Sequence, residues 1–222
     1  MQPHLTDSEL SEFLLKACHD LRGPLRTMRI QAELLNHKGA AGTGQDSGQS
    51  LEFITNGAAA AAAVVDGIAD YALALAIDAS RFQMVPLDVM LRAAMSKLAT
   101  QIRETNTQVA YGDLPGVMGD ADRLLQLFEY LLDHAIRRGG VKIHISAESE
   151  NDIWLFTVRD NGPAVGTPEK AFTPFVRMHA NQRPGPGLAT CRAIVERHGG
   201  RLWAEAESEG CVLRFTLPQS AG

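Results

Sequence analysis

Two long stretches of this chain repeat apolar residues at helical spacing. The first runs Leu10, Leu14, Ala17, Leu21, Leu25, Met28, Ala32 and Leu35, at intervals of three and four residues, which is one stripe of a helix. "LTDSELSEFL" at its start offers Thr6, Asp7 or Ser8 as an N-cap, with acidic residues in the first turn. "KGAAGTGQDSGQ" then reads as a turn. The second stretch, Leu51, Ile54, Ala58, Ala61, Val65, Ile68, Ala72 and Leu75, alternates three and four without an error, a heptad seam. Two helices of about 28 residues, each about 40 Å long, joined by a short turn make an antiparallel hairpin. Two helices cannot enclose a core alone. Either two copies associate as a dimeric four-helix bundle, with alanines letting backbones approach, or the hairpin packs on the rest of its own chain. The dimer is the expected arrangement.

Near residue 80 the pattern changes. "RFQMVP" reads as an extended linker, and "LDVMLRAAMSKLATQIRE" as one helix with Asp88 as a possible cap. "TQVAYG" is a short strand. "DADRLLQLFEYLLDHAIRR" is a strong helix stopped by Gly139-Gly140. "VKIHISAES" and "DIWLFTVRD" alternate as two strands, with "SEND" as the hairpin signal between them. "GLATCRAIVERHGG" is a further helix with a glycine stop, and "RLWAEAE" and "CVLRFTLP" form a second hairpin. Helices on one face of a mostly antiparallel sheet make a two-layer α/β sandwich. The expected class is α+β, with residues 1–80 as the helical hairpin and 81–222 as the sandwich.

Composition narrows the partners. The chain has 222 residues, 45% hydrophobic and 21% charged, and a formal net charge of -5, with basic residues dispersed. This argues against a nucleic-acid partner. Cys18, Cys191 and Cys211 form no CxxC pair and read as reduced thiols of a cytoplasmic protein. "MQPHLTDSEL" turns polar at once, so no signal peptide is expected. The longest apolar tract, residues 58–65, is mostly alanine and short of a span of about 20 residues, so no membrane segment is expected either.

One stretch holds a contradiction. "KACHDLRGPLRTMRIQAELL" is helical in period, yet Gly23 and Pro24 stand in its middle. His19 lies between Ala17 and Leu21, off the apolar stripe and toward water. Asp20 follows it, and Pro24 removes the amide that would bond to the carbonyl of Asp20. A loosened turn beside an imidazole suits an acceptor of a transferred group. A structural kink explains the same residues equally well.

"HDLRGPLR" resembles the phosphoacceptor box of two-component sensor histidine kinases, most of all phytochrome-type sequences. "GDADRLLQLFEYLLDHAIRR" is similar to the box that opens their ATP-binding domain, "VRDNGPAVG" to their first glycine box and "AFTPFVRMH" to their phenylalanine box. "GPGLATCRAIVERHGGRLWAEAE" resembles the second glycine box and the helix after it. The resemblance implies that residues 81–222 are an ATP-binding domain and that the partner is a response-regulator receiver domain. It implies that His19 accepts a phosphoryl group and that Asp20 holds the other ring nitrogen as base or orienter. Arg22 and Arg26 would screen the phosphoryl charge, although solvated surface arginines explain them as well. Asp160 would accept from the adenine amino group, with Gly162 letting the backbone approach the base. Gly185 and Gly187 would open a helix toward the phosphates. ATP and Mg²⁺ are the implied ligands.

The departures lie around the nucleotide. Tyr130 and His134 stand where the family usually has Asn, one of which holds Mg²⁺ through an amide oxygen; imidazole is a poorer partner for that hard cation. Ala164 replaces a usual glycine. "GPGLATC" lacks one Gly-Leu step, and few residues separate Arg177 from Gly185 as a lid. Together they imply weakened binding of nucleotide or Mg²⁺. Gly23, where many members have Thr or Asn, implies weak phosphatase action. Three readings follow: an ATP-dependent histidine kinase, a phosphorelay module with a degenerate nucleotide domain, and a non-catalytic scaffold. His134 either contacts the ligand or fills space beside Tyr130. His198 fits a helix C-terminus as a favoured cation. His4, His37, His144 and His179 have no ligand spacing, so no zinc is expected. Trp154 and Trp203 read as core, and Cys18 as a packing thiol.

Overall fold

A computed structural model of the chain describes residues 7–38, 44–163, 172, 187–206 and 210–219. Among them the chain divides into two compact units, one ahead of Asp70 and one from Asp70 onward. The second unit therefore begins about ten residues before the boundary that the change in pattern suggests, because the end of the second helix belongs to it.

The first unit is built on helix α1, Asp7–Lys38, and helix α2, Gly44–Leu75, which runs on through the boundary. α1 continues through Gly23 and Pro24, so the loosened turn expected there does not end the helix. α2 starts earlier than expected and absorbs "GQDSGQS". Each glycine costs a helix only about 1 kcal/mol once a longer apolar stretch has nucleated it. The two helices meet where Gly57 faces Pro24 and Met28: a Cβ on Gly57 would lie 2.7 Å from Met28 Cγ and 3.2 Å from the Pro24 carbonyl oxygen. That point is equally far from the end of α1 and the start of α2, as an antiparallel hairpin requires. The buried stripe of α2 is Gly57, Val64, Gly67, Tyr71 and Ala74. It lies one residue away from the heptad seam read in the sequence, whose Leu51 and Val65 stay exposed in the single chain, as do Leu14 and Leu25 of α1. Residues 48–75 of α2 are long and apolar enough to cross a membrane by length and composition, with a mean hydropathy of 1.6 in their most apolar 18-residue window. This is a longer tract than the alanine run alone.

The second unit holds a five-stranded sheet in the order β2-β4-β5-β7-β6: β2 is Gln108–Tyr111, β4 Lys142–Glu150, β5 Ile153–Asp160, β6 Leu202–Ala206 and β7 Cys211–Pro218. Only β2 and β4 pair in parallel; the other neighbours are antiparallel. The helices are α3, Leu87–Lys97, α4, Ala99–Glu104, α5, Ala121–Arg137, and α6, Leu188–Arg197, with α5 packed against both α3 and α6. α5 forms because Asp120 caps it, its Oδ1 accepting from the amides of Asp122 and Arg123 at 3.1 Å. Leu124, Leu127, Phe128, Leu131, Leu132, Ala135 and Ile136 then bury one face. Gly139, at φ 84°, ends it. Phe128 stands edge-on to Phe215, which stacks on Phe156 with centroids 4.6 Å apart, joining helix layer to sheet.

Three expectations are corrected. "RFQMVP" is not a plain linker: Gln83–Pro86 is strand β1, paired antiparallel with β3, Gly116–Gly119, from Gln83↔Gly119 to Pro86↔Gly116. Val85 and Val117 are buried, but four residues are too few to show a period. The helix expected over 87–104 is two, broken at Leu98, because the apolar spacing carries across the break. Asp88 is no cap. It sits in the first turn of α3 and pairs with Arg92 at 2.8 Å.

Candidate functional site

His19 stands on α1 with 86% of its side chain exposed. Its Nδ1 lies 3.4 Å from Asp20 Oδ1, a long contact between adjacent residues. Asp20 is mostly covered, and its Oδ2 is buried without a hydrogen-bond partner. A proton on Nδ1 directed at Asp20 leaves the lone pair on Nε2. Arg22 and Arg26 are exposed. Thr27 donates its hydroxyl to the Gly23 carbonyl at 3.2 Å, and open space surrounds the position where a Gly23 side chain would stand. Packing therefore does not require glycine there. Cys18 is exposed, contrary to its reading as a packing thiol.

A second cluster closes the far end of β5. Asp160 is buried, and its Oδ1 accepts from the Gly162 amide at 2.9 Å. A Cβ on Gly162 would meet that Oδ1 at 2.9 Å and the Arg138 carbonyl oxygen at 3.0 Å, so only glycine lets the loop fold back. Arg138, the residue after α5, lies 3.7 Å from the same Oδ1 through Nη2, and donates to the Pro163 carbonyl. Burial pushes the Asp160 carboxyl up from its ordinary range, while the Arg138 charge and then the Gly162 amide pull it down. Sequence reading missed Arg138. Its signal was there: Leu131, Ala135 and Arg138 continue the buried stripe of α5 at helical spacing, so a cation falls on a face that goes inside.

Gly187 begins the turn into α6 at φ 43°, with no side-chain cap; Gly185, Ala164 and Arg177 lie outside the described residues, as do His4 and His179. Phe172 of the phenylalanine box is buried under the Arg192 guanidinium, 4.1 Å from its ring centre.

The surroundings of Tyr130 and His134 are built differently from those of Asp160. The Tyr130 hydroxyl donates to Asp70 Oδ2 at 2.6 Å, binding α5 to the last turns of α2. His134 is half-buried one turn further on. Among the described residues no three His, Cys, Asp or Glu side chains are grouped to hold a metal ion. A phenol already engaged with a carboxylate and an imidazole do not fit Mg²⁺, so no step is assigned to it. The buried acceptor of Asp160 beside Gly162 fits an adenine amino group.

Two further expectations change. His198 does stand at the C-terminus of α6, but not as a favoured cation. It is buried, its Nε2 accepting from the Asp120 amide at 3.0 Å and its Nδ1 directed at the Ile194 carbonyl at 2.7 Å; burial holds its pKa below the usual value. Trp154 and Trp203 are on strands but only half-buried, and the Trp203 indole donates to Glu205 at 3.0 Å.

Comparison with known proteins places this geometry. Residues 119–221 match the family model "Histidine kinase-, DNA gyrase B-, and HSP90-like ATPase". Cyanobacterial phytochrome A of a Nostoc species is 32% identical over 222 aligned residues, which cover 96% of this chain and 29% of that protein. The chain spans about three tenths of the length of the curated relatives at the head of the comparison. The solved catalytic domain of histidine kinase ThkA is 28% identical with a TM-score of 0.56, over 63% of this chain and 97% of that domain. ThkA in complex with response regulator protein TrrA shares the fold at a TM-score of 0.72 and 24% identity, over 96% of this chain and 62% of that one. A likeness that extends over nearly the whole chain and includes an ATPase-type half assigns it: the chain belongs to the two-component sensor histidine kinase family.

Proposed function

We propose that the chain carries a phosphoryl group on His19 and passes it to an aspartate of a response-regulator receiver domain, as a histidine-kinase-type phosphotransferase. The observation that carries this reading is an exposed imidazole whose Nδ1 faces Asp20, which leaves Nε2 as the nucleophile. Asp20 orients the ring, and Arg22 and Arg26 stand within reach of one turn of helix to screen the phosphoryl oxygens. The likeness in fold to a histidine kinase bound to its response regulator supports a receiver as partner. The exposed seam of α1 and α2 supports a homodimer joined as a four-helix bundle. Three free thiols suit the cytoplasm.

Asp160 and Gly162 would take the adenine of ATP, with Gly187 and Gly185 toward its phosphates. The engagement of Tyr130 with Asp70 favours a second reading, in which His19 is loaded by a phosphorylated receiver without ATP. The test incubates the chain and its His19→Gln variant with γ-labelled ATP and Mg²⁺, and separately with a labelled phosphoreceiver. Label on the wild type alone is expected, from ATP for the kinase or from the receiver for the relay. No acid-labile label on His19 from either donor would sink the proposal and leave a scaffold.

A further inference from the structure

An ionised carboxylate only accepts hydrogen bonds, whereas a protonated one also donates. Which form Asp160 presents therefore decides which base edge it can meet. A 6-amino purine offers an N–H, which an anionic oxygen accepts. A 6-oxo purine offers a carbonyl oxygen, which an anionic oxygen repels and a carboxylic acid can serve. Arg138 and Asp160 are almost fully covered, with side chains 1% and 4% exposed. The Arg138 bond to the Pro163 carbonyl holds the guanidinium in place. Around the carboxyl, the residue that caps the end of α5 is Arg138, the loop after β5 contributes the Gly162 amide, and the register neighbours are Ile143 of β4 and Cys211 of β7. Arg138 is the one charged partner of Asp160 among the described residues.

We propose that Arg138 is the residue that sets purine specificity: standing against Asp160, it keeps that carboxylate an acceptor only, so that the site takes a 6-amino purine and refuses a 6-oxo purine. The proposal rests on the reading of Asp160 as the residue that meets the base. Arg138 acts through Asp160 and is a positioning residue. Without the cation, burial acts on the carboxyl with little opposition and the acid form gains.

The test measures binding of ADP and of IDP, which differ at the 6-position, by calorimetry between about pH 6 and about pH 8. Wild type, Arg138→Met and Arg138→Lys are compared, and the Asp160 carboxyl is titrated by ¹³C NMR without nucleotide. Wild type is expected to prefer ADP by at least about tenfold, and Arg138→Met to bring the two within about threefold. Arg138→Met should also move the Asp160 titration to higher pH, and Arg138→Lys should restore both. ADP bound with the same preference in folded Arg138→Met overturns the inference alone. Wild type that binds neither nucleotide overturns the reading of the site together with it. Should Arg138→Met fail to fold, the wild-type titration decides: a carboxyl still protonated near pH 7 overturns the proposal, and an ionised one, with tenfold preference kept in Arg138→Lys, supports it.

Discussion

At the scale of single residues, His198 ties together parts of the larger unit that lie far apart in sequence. Its Nε2 takes the amide of Asp120, its Nδ1 meets Ile194, and its ring stacks on Phe82 with centroids 4.6 Å apart. Nε2 can accept only while the ring is neutral. Because burial depresses the folded pKa, the unfolded chain binds the extra proton first. The stability His198 contributes is present above about pH 6.5 and is lost as pH falls through the folded value. Asp120 nearby opposes the shift and Asp160, whose pKa is raised, gains from acid, so both soften the loss. Urea unfolding at about pH 7.5 and about pH 5.5 should show a fall in wild type and a smaller one in His198→Phe, which itself starts about 1–3 kcal/mol lower. Equal slopes in the two proteins would remove His198 from the pH response. Little of this was legible, since "HGG" shows a helix stop but not a partner 78 residues away. Asp160 and Gly162 were legible as a pair because they lie two residues apart; the stripe of α5 could place Arg138 inside but could not name its partner, which comes from the end of a later strand, β5.

Among elements, the hairpin repeats a theme of local cost against close approach. Pro24 forfeits one helical hydrogen bond, yet it lies where Gly57 lets α2 come near. Pro24→Ala restores the amide and should stabilise the first unit by up to about 3 kcal/mol of helix preference, which raises its thermal midpoint. Gly57→Val should destabilise the unit by about 1–3 kcal/mol and lower that midpoint, since its Cβ meets a backbone oxygen as well as the movable Met28. An unchanged midpoint in Gly57→Val would mean that the helices do not touch there. Long elements were read well: α5 declares its cap, stripe and stop within itself, and the β4–β5 and β6–β7 hairpins alternate clearly. β1, β3 and the break at Leu98 were not read, because a four-residue strand has no period and a one-residue break leaves the apolar spacing intact.

For the molecule as a whole, the register of α2 matters most. The heptad seam is sound as a pattern but does not face α1, so a single chain leaves Leu25, Leu51 and Val65 in water. Burying each in a second copy contributes about 1.5–3 kcal/mol. Sedimentation should find a dimer for wild type, and Leu25→Glu should weaken it by at least about 100-fold; a variant that dimerises as tightly would point to another interface. The order of the boxes, by contrast, was open to reading because each is a short run of neighbours. Strand β1 has one more consequence. Cut at Leu87, the larger unit would keep β3 with a bare edge and His198 with no ring above it. Cut at Arg81, it would leave the Tyr130 hydroxyl without its carboxylate. What looks like a tether is part of the body it ties, so adding or deleting residues there is an injury rather than a change of leash, and the smallest excised piece that keeps its seams starts no later than Asp70.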